Sequence, residues 1–185
     1  MSRLRAIHFC IIPMANAFYK LADVNNMDHA SFILHFGSIY EHSAWVAHGA
    51  WGRRPFESVD ALHAAMDSVM FAAPTAKQME LIRAHPELAG RPARLGQLTE
   101  ASRSEQKQAG LDSLKENQIA KMNQLNAEYR NKFGFPFIIC ARLNDADSIV
   151  SAMRARLENN PEAEFQTALA EISKIARLRL ADLVL

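Results

Sequence analysis

The chain has 185 residues, of which 49% are hydrophobic and 22% charged, with a formal net charge of +1. This is the composition of an ordinary globular domain, long enough to bury a core, and so slight a charge provides no field to draw nucleic acid or an anionic bilayer. No apolar run reaches the roughly 18 residues of a membrane span, and two cysteines, Cys10 and Cys140, lying far apart in apolar runs argue against a disulfide scaffold or a zinc ribbon and fit a reducing compartment.

At the N-terminus, Arg3 and Arg5 precede an apolar run and Ala15-Asn16-Ala17 has the small residues of a cleavage site. His8 and Pro13 interrupt that run, so a secretory signal is disfavoured. Met14 is the simpler alternative start. Residues 1–19 are read as an extension and 20–185 as one domain. Glycine and proline are few, seven each, and helix signals recur along the chain. Asp28 caps a helix through Ser31 to Phe36. Ser43 opens a helix through Ala47 that ends at Gly49 or Gly52. Ser58 opens Val59 to Ala72, with Leu62, Ala65, Met66, Val69 and Met70 on one face. Thr75 with Gln78 forms a capping box for a helix to Ala84. Thr99 opens a short helix closed by Gly110. Ser113 with Glu116 forms another capping box and starts a long helix to about Lys132. Asp145 or Asp147 caps a helix through Met153 to Leu157. Asn160, with Pro161 in the first turn, starts the last helix, whose inward positions are Phe165, Leu169, Ile172 and Ile175, with Leu178 beside them. The expectation is an all-α, single-domain bundle of about eight helices.

Three segments carry the chemistry. The first is Arg83-Ala84-His85-Pro86-Glu87-Leu88-Ala89-Gly90-Arg91. Pro86 excludes the α region for His85, because its ring clashes with the preceding backbone, so His85 sits just past a helix end. An unperturbed imidazole titrates near about 6.5 and exchanges protons at neutral pH. The second is the helix of residues 99–109, where Ser102, Glu105 and Gln106 share one face at i, i+3 and i+4. A hydroxyl, a carboxylate and a carboxamide could read a small polar ring, although on spacing alone a solvated face is the plainer reading; Arg103 and Lys107 look solvent-facing. The third is Phe133-Gly134-Phe135-Pro136-Phe137-Ile138-Ile139-Cys140-Ala141-Arg142. It is either a buried connection or a backbone that approaches a ligand closely, with Arg142 a rim charge or a contact. We read the three as meeting at one pocket.

Other patterns fail. His85-Pro86-Glu87 is half of a zinc-deaminase signature without its cysteines. There is no H-E-x-x-H, no phosphate loop and no G-x-S-x-G. His35 and His42 could meet across a turn, but no carboxylates complete a metal site. No metal and no cofactor are expected.

Taken together the segments resemble the 2-oxo-4-hydroxy-4-carboxy-5-ureidoimidazoline (OHCU) decarboxylase family. Besides the His85–Gly90 and Phe133–Cys140 runs, the matching residues are Phe36-Gly37, Tyr40-Glu41-His42-Ser43, Trp45-Val46-Ala47, Arg54-Pro55-Phe56, Ser102 with Glu105-Gln106 and Ala109-Gly110-Leu111, Leu125-Asn126 with Tyr129, and the tail Ile172 to Leu180. The resemblance spans about residue 20 to the end. It implies an all-helical, cofactor-independent carboxy-lyase, commonly a homodimer, that acts after urate oxidation and 5-hydroxyisourate hydrolysis and releases CO2 to give (S)-allantoin. It places the catalytic histidine at His85, helped by Glu105. It places substrate binding at Pro86, Ser102, Gln106, the Phe137, Ile138, Ile139, Cys140 and Ala141 backbone, and Arg179, the last as an anchor for a substrate oxygen. Eukaryotic members of the family often end in a peroxisomal signal, which Leu183-Val184-Leu185 is not, so a cytoplasmic protein with a small-molecule partner is expected.

Overall fold

The computed structural model describes residues 18–90, 93 and 95–185. The expectations about Cys10, Met14 and the start of the chain lie outside these residues. The described helices are α1 (Leu21–Asn26), α2 (His29–Phe36), α3 (Trp45–Trp51), α4 (Val59–Phe71), α5 (Thr75–Ala84), α6 (Glu100–Gln108), α7 (Glu116–Phe133), α8 (Ala146–Arg156) and α9 (Pro161–Ala181), with a 3-10 turn at Ala141–Leu143. The only strand-like pairing among the described residues is one bridge, Tyr19 to Val184. The fold is all-α. The helix beyond the expected eight is α1, six residues long with no side-chain cap at Lys20, so no start signal marks it. Tyr19 donates its N–H to Leu183 O and accepts from Leu185 N. Tyr19 is therefore tied to the chain end.

Most start signals act as read. The side chains of Asp28, Ser58, Thr99, Asp145 and Asn160 each accept an N–H from the first turn of α2, α4, α6, α8 and α9, satisfying donors that have no partner within the helix. Two capping boxes do not form. Pro74, not Thr75, precedes α5, and Gln78 instead turns its amide back to the Met70 and Phe71 carbonyls that end α4. At α7 the first residue is Glu116. Lys115 is the cap and its N–H is taken by Gln118 Oε1 at 2.9 Å, while Ser113 bonds Asp112. At α7 the box is shifted by two residues, whereas α5 has no side-chain cap.

The long helix α9 is the axis of the bundle. It packs on α4, α5 and α7 and buries Phe165, Ala168, Leu169, Ile172, Ile175, Ala176 and Leu180. Each large aliphatic or aromatic side chain so buried stabilises the fold by about 1.5–3 kcal/mol. Against it lie Leu62, Met66 and Met70 of α4 and Leu81 and Ile82 of α5, all fully buried. No helix among the described residues is long and apolar enough to cross a membrane.

Candidate active site

The sequence places His85 at the end of α5, and the backbone follows. His85 has φ −73° and ψ 137°, the extended conformation Pro86 requires. The ring does not swing free. Its Nδ1–H donates to the Leu81 carbonyl one turn back at 2.9 Å, which fixes the neutral tautomer and leaves the lone pair on Nε2. That nitrogen is buried with no partner in the protein. A buried acceptor without a donor is costly unless a ligand supplies one.

The loop behind the ring is held at three points. Gln106 Oε1 accepts the Ala89 N–H at 3.0 Å, Asn126 Nδ2 donates to Leu88 O at 3.0 Å, and Glu87 pairs with Arg130 on α7. Ala89 takes a left-handed φ of 49°. Gly90 follows, where an added Cβ would fall 2.8 Å from Glu87 Cβ. Gly90→Ala must therefore push Glu87 away and open this turn. We expect a loss of about 1–3 kcal/mol, the usual cost of overpacking, read as a lower urea midpoint, together with weaker turnover.

One solvent-open cleft brings the three segments together. Its lining includes His85, Pro86, Ser102, Glu105, Gln106 and Arg179, with Phe137, Ile138, Ile139 and Ala141 on the facing loop and Leu88 and Ile175 completing the apolar wall. Cys140 does not line it. Its N–H is taken by Glu171 Oε2 at 2.8 Å, and its carbonyl by Leu143 N and Asn144 Nδ2. Its backbone groups are thus spent inside the protein, while Ile139 and Ala141 on either side line the cleft. Arg156 likewise takes the Ile138 carbonyl at 2.7 Å. The Ile139 and Ala141 N–H groups have no such internal acceptor among the described residues. Arg142 is a rim charge, paired with Asp182.

The electrostatics differ from the sequence expectation in two ways. First, burial depresses the His85 imidazole to a pKa of about 4; Arg179 and His42 add to this, and the Leu81 carbonyl and the Glu41 charge oppose it. At neutral pH His85 is therefore a neutral base, not the half-protonated group of an unperturbed histidine. The unfolded imidazole takes up a proton near pH 6.5 and the folded one only near 4. Stability must fall as the pH is lowered through that window, because the unfolded chain binds the extra proton. The whole effect is roughly 3 kcal/mol at about 1.4 kcal/mol per unit. Urea unfolding at pH 7 and 4.5 checks this, and His85→Asn should show a shallower decline than the wild type.

Second, Arg179 is not an available anchor. Its Nε and Nη2 pair with Glu105 Oε1 and Oε2 at 2.7 and 2.8 Å, Nη1 reaches Glu41 Oε2 at 3.0 Å and Ile39 O at 3.2 Å, and Nη2 also contacts Ser102 Oγ at 3.4 Å. A guanidinium has five N–H donors, and all five are engaged inside the protein. Arg179 thus orients Glu105, whose oxygens keep a second lone-pair direction each for a ligand. Ser102 Oγ in turn donates to Glu41 Oε2 at 3.1 Å.

Residues 25–181 match the family model described as OHCU decarboxylase. The chain belongs to the OHCU decarboxylase family. Among its relatives in that family, the OHCU decarboxylase of Haloferax volcanii is 45% identical over 162 residues, 88% of this chain and 94% of that protein. The one from Amia calva is 42% identical over 164 residues, 89% and 94% of the two chains. A crystal structure of (S)-allantoin synthase superposes with a TM-score of 0.71 at 28% identity, over 89% of this chain and 54% of that one, so this chain spans about half of its length.

The cleft residues Leu88 and Ile175 lie within runs that carry the family resemblance, but locally only their apolarity marks them. Glu41 carries no local signal either. It is one of the residues on which the family resemblance rests, an acidic group in the turn between α2 and α3, yet nothing in local spacing ties it to Arg179. Among the described residues no group of three or more His, Cys, Asp or Glu side chains converges as metal ligands do. His35 bonds Tyr19 rather than His42, and it is His29 and His48 that meet, at 3.0 Å.

Proposed function

We propose that this chain is a carbon–carbon lyase that decarboxylates 2-oxo-4-hydroxy-4-carboxy-5-ureidoimidazoline to (S)-allantoin in urate degradation. The observation that carries the reading is His85: Nδ1–H fixed on Leu81 O and a lone pair on Nε2 that no protein donor satisfies, at a cleft shared with Glu105 and Gln106. The substrate bears its carboxylate on C4 beside a hydroxyl and next to a C=N bond. When the C4–carboxylate bond breaks, CO2 leaves and the electron pair passes into that C=N, so the ring is its own electron sink. The C4 pair becomes C4=C5 and the C=N pair settles on nitrogen, which takes a proton from solvent. The resulting enol hydroxyl then gives its proton to His85 Nε2 as the C4 carbonyl forms, and the C4=C5 pair takes that proton back at C5 on one face. An enol hydroxyl is more acidic than the alcohol it comes from, so its hydrogen bond to a neutral imidazole strengthens as the C4–carboxylate bond breaks, which is what accelerates the step.

The remaining cleft groups orient the ring and the ureido arm. Glu105 offers acceptors to N–H groups, Gln106 Nε2 and the Ile139 and Ala141 N–H groups offer donors, and Pro86, Phe137 and Ile175 supply apolar walls. The test is to add the protein to 5-hydroxyisourate freshly hydrolysed by its hydrolase and to follow circular dichroism. Fast appearance of the (S)-allantoin signal is expected. Racemic product formed at the spontaneous rate would reduce the chain to a binding module. The proposal also takes a homodimer in the cytoplasm as the working form, which sedimentation and cell fractionation check.

A further inference from the structure

Glu41 is buried, 3% exposed, and its two oxygens take three side-chain donors from two helices. Oε1 accepts from Thr99 Oγ1 at 2.8 Å, and Oε2 accepts from Ser102 Oγ at 3.1 Å and from Arg179 Nη1 at 3.0 Å. The carboxylate thereby joins the α2–α3 turn, the first turn of α6 and the last turns of α9. The turn that presents it is strained, since His42, the next residue, has a left-handed φ of 47°; such conformations persist where the surroundings over-determine them. A buried carboxylate costs several kcal/mol in desolvation unless it is paired and fully hydrogen-bonded, and Glu41 meets that condition on both oxygens.

Its neighbours explain what it does. Arg179 has one edge on Glu105 and the opposite corner on Glu41. Without Glu41 the far corner of the guanidinium would keep only its longer, neutral contacts to Ile39 O and Ser102 Oγ; with a carboxylate on each side, it fixes the plane in which Glu105 faces the cleft. The charged and titratable groups around Glu41 are Arg179 from α9, Glu105 from α6, His85 from the end of α5 and His42 from its own turn, with Thr99 and Ser102 as neutral donors. Of the two carboxylates, one is matched by Arg179, so a net negative charge faces His85.

We infer that Glu41 is a positioning residue for the decarboxylation: it locks the Arg179–Glu105 pair and Ser102 in register at the cleft and stabilises the imidazolium formed when His85 takes the substrate's proton. The inference rests on the proposed function, and it places a second, hidden carboxylate behind the one that lines the cleft. Burial pushes the Glu41 carboxyl up, but Arg179, Thr99 and His85 outweigh it and hold the group below the usual carboxylate range, so its charge is present at every working pH.

Glu41→Gln keeps the shape and removes the charge. Its kcat should fall on the order of tenfold to a hundredfold, the scale of a displaced catalytic group, with KM little changed, as for an interaction made in the transition state. The acid limb of its kcat/KM profile should move to lower pH, because the imidazolium has lost a stabilising charge. Glu41→Asp retains the charge but cannot span all three partners, so kcat should fall while the acid limb stays in place. Wild-type kcat and an unmoved limb in Glu41→Gln would overturn the inference. If that variant does not fold, a wild-type kcat in Glu41→Asp would do so. A readout without substrate separates this from the function itself: the Arg179 Nε–H resonance, protected by Glu105 in the wild type, should exchange faster in either variant. An unchanged Nε–H resonance rejects the lock even if the wild type proves to make no (S)-allantoin.

Discussion

His85→Ala and His85→Asn should each lose at least about a hundredfold in kcat, the scale of an acid–base group, while keeping the helical circular dichroism of the wild type. The fold is spared because the ring makes one hydrogen bond, to Leu81 O at 2.9 Å, the carbonyl that His85 N–H leaves by turning to Ile82 O, and the loss of one such bond at a helix end costs only about 1 kcal/mol. What is lost is Nε2, a neutral acceptor at the cleft. Asparagine restores neither its reach nor its basicity, so the two variants should behave alike. Their kcat and kcat/KM should drop together, since the hydrogen bond from the hydroxyl strengthens only as the C4–carboxylate bond breaks. Stopped-flow circular dichroism of the (S)-allantoin signal checks this, and a folded His85→Ala with wild-type turnover would remove His85 from the chemistry. Because the native imidazole stays neutral down to a pKa of about 4, wild-type kcat/KM should show no histidine limb near pH 6.5.

Arg179→Met should be the most damaging single change to stability, by about 3–5 kcal/mol, the usual result of removing one partner of a buried ion pair. Methionine fills the space of the arginine stem, so the cost is electrostatic. Glu41 and Glu105 would be left facing one another, the first 3% and the second 13% exposed at the side chain. Two carboxylates so placed cannot both remain ionised without penalty, so one takes up a proton in the folded state above the pH at which it does so in the unfolded chain. The native state of the variant then binds the extra proton, and its stability deficit should shrink as pH falls from 7 towards 5. Urea unfolding at both pH values measures this. The double variant Glu41→Gln/Arg179→Met should be less destabilised than Arg179→Met alone, because residues in contact do not add. Equal losses at both pH values, or simple additivity, would deny the charge cluster its role.

The cluster also shows where reading the chain residue by residue stops. The cap residues Asp28, Ser58, Thr99, Asp145 and Asn160 act on N–H groups three positions away, so each is complete within a few residues of sequence. The boxes assigned to Thr75 and Ser113 failed because competing partners lay nearby: Gln78 had the end of α4 to bond, and Lys115 offered a better first turn. In the same way Ser102, Glu105 and Gln106 could be placed on one face of a helix, but not told apart from a solvated face until α9 and the loop of residues 85–90 closed over them. Cys140 was grouped with a binding backbone, while its N–H belongs to Glu171, 31 residues further on.

Sequence alone determined the helical punctuation, the extended backbone that Pro86 imposes on His85, and the motifs that mark the OHCU decarboxylase family. These rest on local sterics and short-range hydrogen bonds, which neighbouring residues dictate. Tertiary structure alone decided that His85 is a neutral base, that Arg179 spends its donors inside the protein, and that Glu41 stands behind Glu105. Those properties come from desolvation and from ion pairs across 138 and 74 residues of chain, and neither exists until the helices have packed.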